Sequence, residues 1–291
     1  MFQLSPSDFS FTGADLSRPE CIVAEQDGSL WVSDNRGALT HIAPDGQQRL
    51  LGQMGGKPNG MTMAEDGSFL MANIALRRFY RVSRQGSEQV FLDNLDGAPV
   101  GAANFVERDP LGRLWLSVSS RLSNHLLALE SDVPDGYVIL IDQKGPRIVA
   151  DGLLFTNEVR LDAGMGWLYM AETRGGRVSR APLRADGSLG PREVFGPDPI
   201  FDGALIDGIR FDAAGNLWVT EITRNRLYVI APDGTAHLVF DDPSGEILDH
   251  PSSLTFCGPD LRTVHVGGLG QTRLATFRAP VAGLAPAHWI S

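Results

Sequence analysis

The sequence predicts an all-β chain folded as a six-bladed β-propeller with four strands per blade, and three observations carry that prediction. Six segments repeat one grammar: a short apolar strand, a Gly-containing turn, and a second strand that often opens Leu-Trp or Leu-Tyr. Their turn centres fall near residues 28, 67, 112, 166, 215 and 260, at spacings of 39 to 54 residues, which suits one four-stranded unit per repeat. No stretch sustains the 3.6-residue apolar period of a helix.

The blades read in order. Blade 1 opens with "ECIVAEQDGSLWVSD" and continues with "ALTHIAPDG" and "QRLLGQ". Blade 2 is "NGMTMAEDGSFLMAN", "RFYRVSRQG" and "EQVFLDN"; blade 3 is "NFVERDPLGRLWLSV", "YVILIDQKG" and "PRIVADG". Blade 4 opens with "NEVRLDAGMGWLYMAE", and blade 5 is "DGIRFDAAGNLWVTE", "RLYVIAPDG" and "AHLVFDD". Blade 6, "SSLTFCGPDLRTVHV", lacks a fourth strand of its own. The N-terminal "DFSFTGADL" is expected to supply it, closing the ring and removing an exposed sheet edge. A lone blade cannot cover both faces of its sheet, so neighbours must. The aromatics after the turns, Trp31, Trp115, Tyr169 and Trp218, are therefore expected as core between blades. The whole of 1–291 reads as one domain, within range for a large all-β fold.

Composition narrows the function classes. The net charge is −10 with a pI near 5.0, and no basic stripe offers itself to nucleic acid. An acidic surface suits a cation or a neutral ligand better than a polyanion. Cys21 and Cys257 read as free buried thiols in strands, without a disulfide framework. The N-terminal "MFQLSPSDFSFTG" has neither a basic stretch nor an apolar core of a signal peptide, and no run approaches a spanning helix. The expectation is a cytoplasmic chain without membrane partners, a monomer or weak homo-oligomer.

Counting back eight residues from each turn centre, or nine in blade 4 where the turn is longer, gives Glu20, Asn59, Asn104, Asn157, Asp207 and Ser252. Each is an oxygen-bearing residue at the start of an otherwise apolar strand. In a propeller the first strand of each blade lines the axis, so six such positions form a ring at one mouth of the channel. Two carboxylates, three amides and a hydroxyl, with no nitrogen or sulfur donor, suit a hard divalent cation. Calcium comes first, with Mg, Mn, Fe or Zn as alternatives. Six residues after the turns stand Asp34, Asn73, Val118, Glu172, Glu221 and Val266. An antiparallel hairpin sets these level with the ring, which makes Glu172 and Glu221 candidates to orient the ligands from behind.

Several motifs together resemble the SMP-30/gluconolactonase/LRE-like family of metal-dependent lactonases. They are "RPE" at 18–20, "KPNG" at 57–60, "NFVERDPLGRLW" at 104–115, "GLLFTNEV" at 152–159 with "LYMAET" at 168–173, and "IDGIRFDAAGNLWV" at 206–219. The resemblance implies Glu20, Asn157 and Asp207 as ligands of one divalent metal, Asp207 as general base, and Asn104 on metal or substrate. It implies a small lactone or ester as substrate, opened by water at the channel mouth. Asn59 is placed with Asn104 as a substrate contact, and Phe105 and Phe155 beside them. The chain departs from the family pattern at Ala102, where many sugar lactonases carry Arg, at Phe105-Val106 and at Glu158. A less polar pocket than a sugar lactone needs is expected. The same cage would also fit an esterase or phosphotriesterase, or a non-catalytic binding module with a structural cation.

Residues 119–136, "SSRLSNHLLALESDVPDG", interrupt blade 3 and are expected to cover the mouth, with Leu126, Leu127 and Leu129 shielding it. His250, two residues before Ser252, is expected near the rim.

Overall fold

A computed structural model describes residues 2–290. Six four-stranded antiparallel sheets follow one another along the chain, as the repeat predicts. Blade 1 is Ile22–Ala24, Leu30–Ser33, Leu39–Ile42 and Gln48–Leu51; blade 2 is Pro58–Met63, Phe69–Asn73, Arg78–Val82 and Glu88–Leu92. Blade 3 is Ala103–Arg108, Leu114–Val118, Gly136–Asp142 and Gly145–Leu153; blade 4 is Thr156–Leu161, Trp167–Glu172, Arg177–Pro182 and Glu193–Phe195. Blade 5 is Ile206–Phe211, Leu217–Glu221, Arg226–Ile230 and Ala236–Asp241. Blade 6 is Pro251–Cys257, Thr263–Gly268 and Leu274–Arg278, and its fourth strand is the N-terminal Ser10–Thr12. Ser10 pairs with Thr276 and Thr12 with Leu274, which closes the ring. Among the described residues no helix is long and apolar enough to cross a membrane.

The aromatics after the turns sit between blades. Trp31 packs 4.8 Å from Phe69 of blade 2, Tyr169 4.9 Å from Phe211 of blade 5, and Trp218 5.8 Å from Phe256 of blade 6. A buried indole needs an acceptor for its N–H. Trp31 donates to Glu25, Trp115 to Asp109 and Trp218 to Asp212, each a carboxylate six residues earlier at the end of the first strand. Asp109 and Asp212 also accept backbone N–H groups of the hairpin turn, so one side chain ties the turn to the core of its blade. Both cysteines are buried and free.

Five of the six first strands, those of blades 2 to 6, share one irregularity. Residues 59–60, 157–158, 207–208 and 252–253 drop out of the pairing with the second strand, as does Asn104 in blade 3. These are β-bulges, which bend a strand and re-aim its side chains. Every bulge falls on a residue of the polar ring. The backbones of neighbouring first strands come close here. A Cβ on Gly60 would lie 2.2 Å from the Phe105 ring, and one on Gly208 2.3 Å from the Ser252 carbonyl oxygen. The Asn-Gly and Asp-Gly pairs of blades 2 and 5 therefore combine a ring side chain with the only residue that lets the next blade approach.

Candidate functional site

All six ring residues, Glu20, Asn59, Asn104, Asn157, Asp207 and Ser252, are buried. They form linked pairs around the axis. Asn59 Nδ2 donates to the backbone oxygen of Asn104 at 2.9 Å and to its Oδ1 at 3.2 Å. Asn104 Nδ2 donates to Ser119 Oγ, and Asn157 Nδ2 donates to Thr173 Oγ1 at 3.0 Å. Ser252 Oγ donates to the Glu20 backbone oxygen.

The carboxylates feel one another. Burial holds Asp207 well above the usual carboxylate range, and the charges of Glu20 and then Glu158 push the same way. Glu20 is raised first by burial, against the pull of Arg18. Two oxygens of the ring stand out. Asn157 Oδ1 and Glu20 Oε2 are buried without a hydrogen-bond partner. Arg18 Nη2 lies 2.9 Å from Glu20 Oε2, close enough for an ion pair but not aligned as a hydrogen bond. A buried oxygen left unsatisfied is costly, and two mutually repelling acids beside it add to the cost. One divalent cation held by Glu20, Asn157 and Asp207 would answer both, so these residues fit such an ion. Among the described residues no group of three or more His, Cys, Asp or Glu could hold a metal; the fit depends on an amide oxygen.

Three residues that the sequence reading passed over complete the mouth. Arg18, with a left-handed backbone at φ 52°, reaches Glu20, the Asn59 Oδ1 at 2.9 Å and the Pro58 oxygen at 3.2 Å. Ser119 and Thr173 are the side chains that fix Asn104 and Asn157, and each stands just past the end of a second strand. The positions marked in advance, Glu172 and Glu221, act differently. The bulges shift the register, so Glu172 pairs with Thr156 and Glu221 with Ile206, one residue before the ring. In blade 6 it is Gly268, not Val266, that stands opposite Pro251. Glu172 accepts the Leu154 N–H and Ser179 Oγ; Glu221 accepts the N–H groups of Leu205, Thr223 and Arg224. They anchor the backbone leading into the ring, and among the described residues none of their hydrogen bonds reaches the side chain of Glu20, Asn157 or Asp207.

Phe105 does not face the mouth. Its ring is buried against Gly60 and lies 4.2 Å under the Arg160 guanidinium. Arg160 in turn pairs with Glu158 at 2.7 Å and with Glu107 at 2.5 Å. Glu158 also accepts Ile209 N–H of blade 5 and Ser253 Oγ of blade 6. The departures at Phe105 and Glu158 are therefore one structural unit, a polar plug one level below the ring.

Phe155, at φ 60°, joins Ile74, Ala102 and Ala128 in an apolar cluster, with Leu122 and Leu129 packed on it. The 119–136 insertion thus covers Phe155 and Ala102 through Leu122, Ala128 and Leu129. Leu126 and Leu127, expected as part of the shield, point to solvent at 48% and 51% exposure. A short helix, Leu127–Glu130, turns them outward. Asp135 pins the insertion's base by accepting from Ser120 Oγ and Arg121 N. His250 is exposed and paired with its neighbour Asp249 at 2.5 Å.

A six-bladed propeller with a buried, oxygen-rich ring at one mouth defines the class of protein. The chain belongs to the SMP-30/Gluconolactonase/LRE-like family, whose model matches residues 18–267. Among solved structures it is similar to a putative gluconolactonase, with 21% identity, TM-score 0.78, and coverage of 98% of this chain and 96% of that one. It is similar to a gluconolactonase from Xanthomonas campestris, with 19% identity, TM-score 0.73, and coverage of 93% and 88%. It is also similar to regucalcin, a calcium-binding protein from Agrobacterium tumefaciens, with 17% identity, TM-score 0.74, and coverage of 95% and 96%. At these identities the likeness is one of fold. A search of curated proteins finds no match.

Proposed function

We propose that this protein is a divalent-metal-dependent hydrolase that opens a lactone at the ring-bearing mouth of the propeller. The observation that carries this reading is the pair of buried oxygens without hydrogen-bond partners, Glu20 Oε2 and Asn157 Oδ1, in the same ring as Asp207. Glu20, Asn157 and Asp207 would hold the cation, and an all-oxygen set favours calcium. When bound, such an ion supplies Lewis acidity toward a carbonyl oxygen.

The chain's own residues do the rest. Asp207, beside Glu20 in the buried ring, takes a proton from the attacking water. Asn59 spends its amide hydrogens on Asn104. Asn104 gives one to Ser119 and keeps one to orient a substrate oxygen. The apolar cluster of Ile74, Ala102, Phe155 and Leu129 favours a lactone with an apolar substituent over a polyhydroxylated sugar. A second reading draws on the Arg18–Glu20 contact: a binding module in which Arg18 neutralises the acid and no turnover occurs.

Turnover of a lactone panel by chelated protein, with Ca, Mg, Mn, Fe or Zn added back singly, separates the readings. The lactonase proposal expects metal-restored hydrolysis of apolar lactones. Phosphotriesters turned over faster than every lactone would reassign the substrate. No hydrolysis with any metal would leave the binding module.

A further inference from the structure

Three arginines crowd the end of the channel away from the ring. Arg108, Arg160 and Arg210 come from the first strands of blades 3, 4 and 5. Arg160 and Arg210 stand three residues beyond Asn157 and Asp207, where blades 2 and 6 carry Thr62 and Thr255. With Glu107 they line a cavity of about 90 Å³, roofed by Leu284–Ala287 and Ile290 of the C-terminal segment. That segment is fixed by His288 and Trp289 side-chain nitrogens on the Ala24 oxygen, and by Leu284 N–H on the Phe211 oxygen.

The wall sets three carboxylates, Glu107, Asp109 and Asp162, against the three arginines, but they do not serve them evenly. Glu107 is the partner of Arg160. The other carboxylates on the wall are occupied: Asp109 by Arg113 and Trp115, Asp162 by the Trp167 N–H. Arg108 gives Nη2 to Glu65, while its Nη1 is buried without a hydrogen-bond partner and its side chain is 4% exposed. Arg210 makes no ion pair or hydrogen bond with any described residue. Burial and the neighbouring Arg160 push its guanidinium down to about 10, still charged at neutral pH. Arg210 is half-buried, and a guanidinium stays charged and keeps its need for acceptors. Its planar fork matches the oxygens of a carboxylate or phosphate.

We propose that this pocket is a second binding site, for a small oxyanion, with Arg210 and Arg108 Nη1 as its donors beneath the C-terminal segment. It is independent of the ring at the other mouth and of whatever reaction occurs there.

Thermal unfolding in EDTA, at one ionic strength, with inorganic phosphate, malonate or sodium chloride tests it. Phosphate or malonate at about a hundred times its Kd raises the Tm by roughly 5 °C, and chloride does not. A response to phosphate alone or malonate alone identifies which oxyanion fits. Arg210→Gln and Arg108→Gln lose the shift, and Asp207→Ala keeps it. Equal shifts in wild type and the arginine variants, or equal shifts from chloride, overturn the proposal. Should Arg210→Gln fail to fold, Arg108→Gln together with calorimetric titration of phosphate into wild type decides, and absence of a one-site isotherm overturns it.

Discussion

Single residues at the ring carry opposing demands. Asp207 and Glu20 are buried together, so each raises the other's cost of ionisation. Asp207→Ala is expected to abolish metal-dependent lactone turnover while leaving the circular dichroism spectrum intact. Without metal, its Tm should equal or exceed that of wild type, because a buried repulsion is gone. A metal-free variant melting well below wild type would count against that account. Arg18 competes with any cation for Glu20 Oε2. Arg18→Gln should tighten calcium binding by roughly tenfold in calorimetry, and weakened binding would make Arg18 a support of the site instead. A third group reports on pH. His265, in blade 6 beside Thr276 Oγ1, is held down to about 4 by burial. Its folded pKa lies below its unfolded value near 6.5, so the unfolded chain binds the extra proton between those values. Its share of stability is complete above pH 6.5 and is lost as pH falls toward 4, on the order of 3 kcal/mol. Denaturant midpoints of His265→Gln should fall less steeply than those of wild type across that window.

At the scale of the strand, the bulge is the feature that builds the site. Gly208→Ala would push a methyl group to 2.3 Å from the Ser252 oxygen and 2.9 Å from Ser253 Cα, both parts of the adjacent backbone. It should cost about 2 kcal/mol in urea unfolding and displace Asp207, lowering turnover as well. Unchanged stability would mean that the inner strands are less tightly apposed. The same feature explains what could and could not be read in advance. Asp207 and Asn157 were legible because an oxygen-bearing residue at the head of an apolar strand breaks the pattern in every blade. Glu172 and Glu221 were assigned to the wrong task because strict alternation ignores an extra residue in the first strand. Ser119 and Thr173, the actual partners of the amides, stand one position further along and were hidden by the same slip. Arg18 lies before the first strand begins, outside any periodicity, so no count from a turn reaches it. Phe105 was read toward the mouth; in the fold the Arg160 guanidinium above it and Gly60 beside it hold it in the wall.

At the scale of the whole molecule, the blades and their order were legible because each repeat carries its own turn and aromatic. The closing strand was legible because blade 6 lacked a fourth strand and the N-terminal "DFSFTGADL" offered one, as the pairing of Ser10–Thr12 bears out. Removing residues through 13 should expose the Leu274–Arg278 edge, lower the Tm and produce self-association visible by light scattering after size exclusion. A monomeric truncation with an unaltered melt would assign closure to the blade contacts alone. The pairing of Ser10 with Thr276 also bears on how the chain is made. Ser10–Thr12 is translated before any blade and Leu274–Arg278 after the first five, so almost the whole ring separates the two halves of this clasp. Early blades can thus mature on the nascent polypeptide, but the circle stays open, with its earlier ribbon waiting, until the third strand of blade 6 has emerged.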